Sequence, residues 1–150
     1  MKIIAVDPGK VSGLVIVSAP IDGVMNVEHW AELGRYPLLE LVDTEMSDGT
    51  VSHLVVERFV IRPGRPKTMQ TDHPEIIGVL DWLAHLYRVP VTKQSVSDAL
   101  AFGTAEKLAP YRRHAPHVGR GGAGHAVVAL QHSLLWLTTV GYSDASVIHH

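Results

Sequence analysis

Along the chain, runs of apolar residues alternate with polar breaks, and the spacing within each run predicts the element it forms. Residues 2–7, Lys2-Ile3-Ile4-Ala5-Val6-Asp7, are a near-continuous apolar run and read as a buried strand ending on an acid. Pro8-Gly9-Lys10 turns the chain, and Gly13-Leu14-Val15-Ile16-Val17 predicts a second strand paired with the first. Residues 25–32 suit a third strand. From Tyr36 to about Met46, Leu38, Leu39, Leu41 and Val42 gather on one side, the spacing of a helix. His53-Leu54-Val55-Val56-Glu57 is again a short apolar run finishing on a carboxylate. Residues 60–72, rich in Pro, Gly and Arg, predict a loop. Pro74 suits the first turn of a helix running to about Tyr87, with Asp72 as its candidate cap. Val89-Pro90-Val91-Thr92 predicts a strand, residues 96–109 a helix, 110–123 a basic, glycine-rich loop, and 123–139 a last helix. The order β-β-β-α-β-α-β-α-α predicts an α/β fold, a mixed sheet of about five strands with helices on its faces.

Composition narrows the class. A chain of 150 residues, 46% apolar and 19% charged, fits one globular domain spanning 1–150, and no repeat or linker divides it. It holds no apolar run of ~18 residues, so no membrane span is expected. The first strand-like run opens without a charged-then-apolar leader, so no secretory signal is expected either. The absence of cysteine excludes disulfide frameworks and thiolate metal sites and suits a cytoplasmic setting. A formal charge of −2 speaks mildly against a nucleic-acid binder, but the basic residues cluster. Arg58, Arg62, Arg65 and Lys67 fall close together, and Arg112, Arg113, His114, His117 and Arg120 form a second group.

The chemistry gathers at strand ends. Asp7 and Glu57 each close an apolar strand and each precede a loop open to a ligand. Singly, either acid is accounted for as a strand-end residue. If the two strands are neighbours, the carboxylates converge, which is costly unless a cation neutralises them. Hard divalent ions such as Mg2+ take oxygen ligands of this kind. Gly9 frees the backbone after the acid, and Gly13 permits a close approach at the second strand. His125 stands in the first turn of the last helix, where it could ligate a metal, relay a proton, or merely end the helix. His132 lies seven residues on, ~10 Å along the axis, too far to share one ion with His125 easily. The helix 74–87 carries Ile76, Ile77, Val79, Leu80, Leu83, Ala84, Leu86 and Tyr87, more apolar surface than one stripe requires. That surplus fits either burial in a monomer core or a dimer contact.

Three stretches together carry a family likeness: Val6-Asp7-Pro8-Gly9 with Gly13, then Val55-Val56-Glu57-Arg58-Phe59, then Gly124-His125-Ala126 opening the last helix. In order and spacing, over residues 2 to about 140, the chain resembles a small RuvC-like Holliday junction resolvase of the kind found in bacteriophages. The resemblance implies a ribonuclease H-like fold, a homodimer, and cleavage of branched DNA with Mg2+ or Mn2+. Carried over by position, it makes Asp7 and Glu57 the first two metal-binding acids and His125 the third ligand, all three catalytic. The fourth position, three residues later on the same helical face, is normally Asp and is here Val128. The departure removes a metal ligand. The basic residues Arg58, Arg62, Arg65 and Lys67 beside Glu57, with Arg112 and Arg113, suit phosphate contacts, since Arg pairs bidentately with phosphate, or equally form a solvated loop. Phe59 could wedge against a base or belong to the core.

Two readings follow from the resemblance: an endonuclease that hydrolyses branched DNA with two metals, or a junction-binding protein crippled at Val128. The hairpin at Asp7 also suggests an actin-like phosphotransferase. That architecture needs a second domain and a second phosphate loop, for which 150 residues leave no room.

Overall fold

The computed structural model describes residues 1–19, 25–60, 64, 71–114 and 124–142, without the side chains of 112–114. Its sheet has five strands: β1 (Lys2–Asp7), β2 (Ser12–Ser18), β3 (Asn26–Leu33), β4 (Val51–Glu57) and β5 (Val91–Gln94). They lie in the order β3-β2-β1-β4-β5. β1, β2 and β3 form an antiparallel meander, and β4 and β5 continue the sheet in parallel with β1. The predicted mixed α/β sheet is therefore what forms.

The helices are α1 (Arg35–Ser47), α2 (Asp72–Tyr87), α3 (Val96–Phe102), α4 (Ala105–Leu108) and α5 (His125–Thr139), with a 3-10 segment at Ala109–His114. Because successive residues of a strand face opposite sides, β1 feeds two cores. Ile4 and Val6 face α1 and α2 together with Leu14, Ile16, Leu54 and Val56. Ile3 and Ala5 face α5 with Val15, Val17 and Val55, against Leu130, Leu134 and Leu137. Burial on both faces explains why β1, β2 and β4 read as unbroken apolar runs. Truncating Leu80 or Leu130, both fully buried, to Ala should cost about 2–5 kcal/mol.

Three expectations change. Asp72 does not cap α2; it lies inside the first turn and binds Arg35 at 2.7 Å, as Glu75 does. The helix expected at 96–109 breaks at Gly103-Thr104. A side chain at Gly103 would collide with Gln131, whose amide donates to the Gly103 carbonyl, and the Thr104 hydroxyl caps α4. The apolar surplus of α2 is mostly core: Ile76, Ile77, Leu80, Leu83 and Ala84 are buried. What remains outside is Val79, Trp82 and Leu86, a stripe in which Trp82 is 59% exposed.

Candidate functional site

Cross-strand register builds the site. On the α5 face, Glu32 of β3 is opposite Gly13 of β2, and Gly13 is opposite Asp7 of β1. Asp7 and Glu57 each directly follow the paired residues Val6 and Val56, and Glu57 is opposite Gln94 of β5. One row therefore crosses the whole sheet: Glu32, Gly13, Asp7, Glu57, Gln94. Direct partners share a face, so its side chains gather on one side.

The first turn of α5 sits on the gap in this row. A Cβ on Gly13 would lie 1.9 Å from the His125 carbonyl oxygen, so only glycine lets the helix seat there. The Trp30 indole, on the same face of β3, donates to the Ala126 carbonyl and pins the helix start. Before the row, the Ser12 hydroxyl bonds both the amide and the carbonyl of Gly9, closing the turn after Asp7.

The seating brings His125 to Asp7, with Nδ1 2.7 Å from Oδ2. Asp7, 4% exposed, stands next to Glu57 in this row, and each carboxyl affects the other's ionisation. Burial and the adjoining Glu57 carboxylate push the Asp7 pKa up to about 6, against the opposing pull of His125. Glu57 is raised by burial but more strongly lowered by His132, Asp7 and His73, and ends below the usual carboxylate range. His125 is raised by its bond to Asp7, with help from the charges of Asp7, Glu32 and Glu57, while burial works the other way. The three residues singled out from sequence thus meet at one edge of the sheet.

Val128 is half-buried one turn beyond His125, and it offers no lone pair. Arg58 is exposed directly after Glu57, and its amide donates to the Gln94 carbonyl. Phe59 packs on the α1–α2 core and against His73, which makes it a core residue. Arg62, Arg65 and Lys67 lie outside the described residues, as do His117 and Arg120. Arg112 and Arg113 fall on the 3-10 segment, and their side chains lie outside the description.

Two members of the site were missed in the sequence. Glu32 acts on His125 through its charge, and its Oε1 is buried with no hydrogen-bond partner among the described residues. No motif marks it; only the β2–β3 register does. His132 is fully buried, with Nδ1 2.9 Å from Gln94 Oε1 and Nε2 3.7 Å from Glu57 Oε2. Its spacing from His125 was the available signal, and it does face the site, at Glu57 instead of Asp7.

Among the described residues, no group of three or more His, Asp or Glu side chains stands in a ready-made metal arrangement. The donors are paired with one another instead, His125 with Asp7 and His132 beside Glu57. Two neighbouring carboxylates, one of them raised to about 6, still fit a hard cation, which would relieve their repulsion. Among the described residues, no helix is long and apolar enough to cross a membrane.

No family model and no curated protein matches the sequence. Solved structures do match. Thermus thermophilus RuvC in complex with a Holliday junction substrate superposes with a TM-score of 0.64 at 15% identity, covering 95% of this chain and 98% of that one. The fowlpox virus Holliday junction resolvase gives 0.63 at 10% identity, covering 93% and 99%. The yeast mitochondrial Holliday junction resolvase gives 0.63 at 11%, covering 96% and 78%. At such identities the likeness is one of fold, and the five-stranded mixed sheet in the order 3-2-1-4-5 is the ribonuclease H-like α/β fold of these RuvC-like resolvases.

Proposed function

We propose that the chain is a metal-dependent endonuclease acting on branched DNA such as four-way junctions. The observation that carries this reading is the placing of Asp7 and Glu57 side by side at the ends of adjacent parallel strands, with His125 of α5 bonded to Asp7. Asp7 and Glu57 would hold Mg2+ or Mn2+, which when bound activates a water for attack on the phosphodiester and stabilises the leaving 3′ oxygen. His125, half-exposed and raised in pKa by Asp7, orients that carboxylate and can hold a proton at the mouth of the site. Arg58, Arg62, Arg65 and Lys67 follow Glu57 in the chain and serve as phosphate contacts, with Arg112 and Arg113 as a second set. A homodimer through the Val79-Trp82-Leu86 stripe would present two sites, which suits symmetric cutting of a four-way junction.

Val128 favours a second reading, a junction-binding protein with impaired cleavage, because the helix face between His125 and His132 lacks a donor there. The two separate in one experiment. Four-way, flap and linear DNA are incubated with protein and Mg2+ or Mn2+, and binding is followed in parallel by mobility shift. Cleavage of branched DNA that Asp7→Asn and Glu57→Gln abolish supports the nuclease. Tight, structure-selective binding with no cleavage in either metal supports the binding protein. Failure to prefer branched over linear DNA in both assays overturns both.

A further inference from the structure

The polar row leaves one buried nitrogen unaccounted for. Among the described residues His132 Nε2 has no hydrogen-bond partner, and it stands 3.7 Å from Glu57 Oε2. The other ring nitrogen, Nδ1, bonds the Gln94 side-chain oxygen at 2.9 Å. That oxygen only accepts, so the Nδ1 nitrogen donates to it, and the remaining ring nitrogen, Nε2, is the one set against a carboxylate. A buried nitrogen and a carboxylate oxygen set 3.7 Å apart with no hydrogen bond between them leave room for a positive species to join them.

The gap has the dimensions of an ion. Two donors each ~2.1 Å from a divalent cation stand ~3.0 Å apart at a right angle and ~4.2 Å apart in line. A ring whose other N–H is given to a carbonyl oxygen is also how metal-binding histidines are usually held. Position on the helix completes the case. Residues 125, 128 and 132 fall on one face of α5. Val128 offers nothing, and His132 is the next residue along that face, set against Glu57.

We propose that His132 Nε2 and Glu57 hold a divalent cation between them, with Gln94 fixing the ring, so that the donor absent at Val128 is supplied one turn further along α5. The remaining ligands would have to come from the Glu57 side, because the His132 ring is fully buried. This deepens the metal-dependent reading of Asp7 and Glu57 and rests on it. A nitrogen donor shifts preference from Mg2+ toward Mn2+ and other nitrogen-accepting ions.

The test uses the whole chain without DNA. Isotope-labelled histidine is followed by NMR during Cd2+ titration, and Mn2+ affinity is measured calorimetrically for wild type, His132→Gln and Gln94→Leu. The expected result is a Cd2+-dependent shift of His132 Nε2, with Nδ1 still protonated. His132→Gln should weaken Mn2+ by roughly ten-fold or more, and Gln94→Leu by less in the same direction. A His132 Nε2 that carries a proton and stays unmoved at saturating Cd2+ overturns the site, and so does unchanged Mn2+ affinity in His132→Gln. If His132→Gln does not fold, the wild-type titration decides alone. Cleavage that depends on Asp7 and Glu57 while His132 stays silent removes this ligand and leaves the nuclease reading standing. A His132 shift in a protein that cuts nothing removes the nuclease reading and leaves the metal site standing.

Discussion

Replacing Asp7 with Asn should stabilise the protein, and only at neutral to basic pH. The Asp7 carboxyl is buried beside Glu57, and its pKa stands at about 6. The ordinary value is ~3.9, and each pH unit between the two is worth ~1.4 kcal/mol. Above pH ~6 the ionised group therefore costs the fold up to about 3 kcal/mol, and relaxation of the Asp7–Glu57 pair brings the effect to about 1–2 kcal/mol. Below pH ~3.9 the carboxyl is protonated in folded and unfolded chains alike and the penalty is absent. Between these limits the unfolded chain ionises first, so the wild type loses stability as pH rises through the folded pKa. Asn is neutral throughout and can still pair with His125 Nδ1.

The assay is thermal unfolding of wild type and Asp7→Asn in chelator across that pH range. At about pH 8 the variant should melt ~2–8 °C higher, and the gap should close at about pH 4. Saturating Mn2+ should narrow the gap at high pH, because an ion bound to the folded wild type stabilises it by mass action. Equal melting temperatures at high pH, or a gain independent of pH, would refute the electrostatic account of Asp7.

Gly13→Ala should unseat α5, since the added Cβ meets the His125 carbonyl at 1.9 Å; a loss of about 3 kcal/mol in denaturant unfolding is expected, and an unchanged midpoint would contradict the packing. Trp82→Glu should leave stability nearly unchanged while converting the proposed dimer to a monomer in sedimentation, whereas Leu80→Glu, which buries a charge in the core, should unfold the chain. Substituting Arg62, Arg65 and Lys67 by Ala should flatten the salt dependence of DNA binding by roughly one unit of slope per lost phosphate contact, and an unchanged slope would exclude this patch. Val128→Asp should raise metal affinity and speed cleavage of four-way junctions, most visibly in Mg2+; normal folding with no faster cleavage would mean the acid at this position is not limiting.

The elements were legible because the sheet is buried on both sides. A strand that must satisfy two cores shows as an unbroken apolar run, and β1, β2 and β4 all do. The long helices were legible by their periodicity, although Trp82 was overlooked on the outer face of α2. What failed was local. Nothing in Val96–Leu108 announces that Gly103 must yield to the Gln131 side chain, because that neighbour is 28 residues away. Asp72 looked like a cap because its type suits one, but Arg35, brought over by the packing of α1 on α2, takes it as an ion-pair partner.

The site divides along the same line. Asp7, Glu57 and His125 announce themselves because each stands at the end of an element whose type is readable, and ends of parallel strands gather at one edge. Glu32 and His132 do not, because their role depends on quantities that run across the chain. Glu32 enters through a register: it is opposite Gly13, which is opposite Asp7, and a slip by one residue would turn it to the other face. His132 enters through the tilt of α5, which carries its second turn from Gly13 toward Gln94. The helical spacing of 125 and 132 argues against one shared ion, yet it says nothing about a strand two places away in the sheet. Once the row is laid out, the absence at Val128 changes meaning. The helix face still brings nitrogen to both acids, His125 to Asp7 and His132 to Glu57, and the valine lies between two donors instead of ending the set.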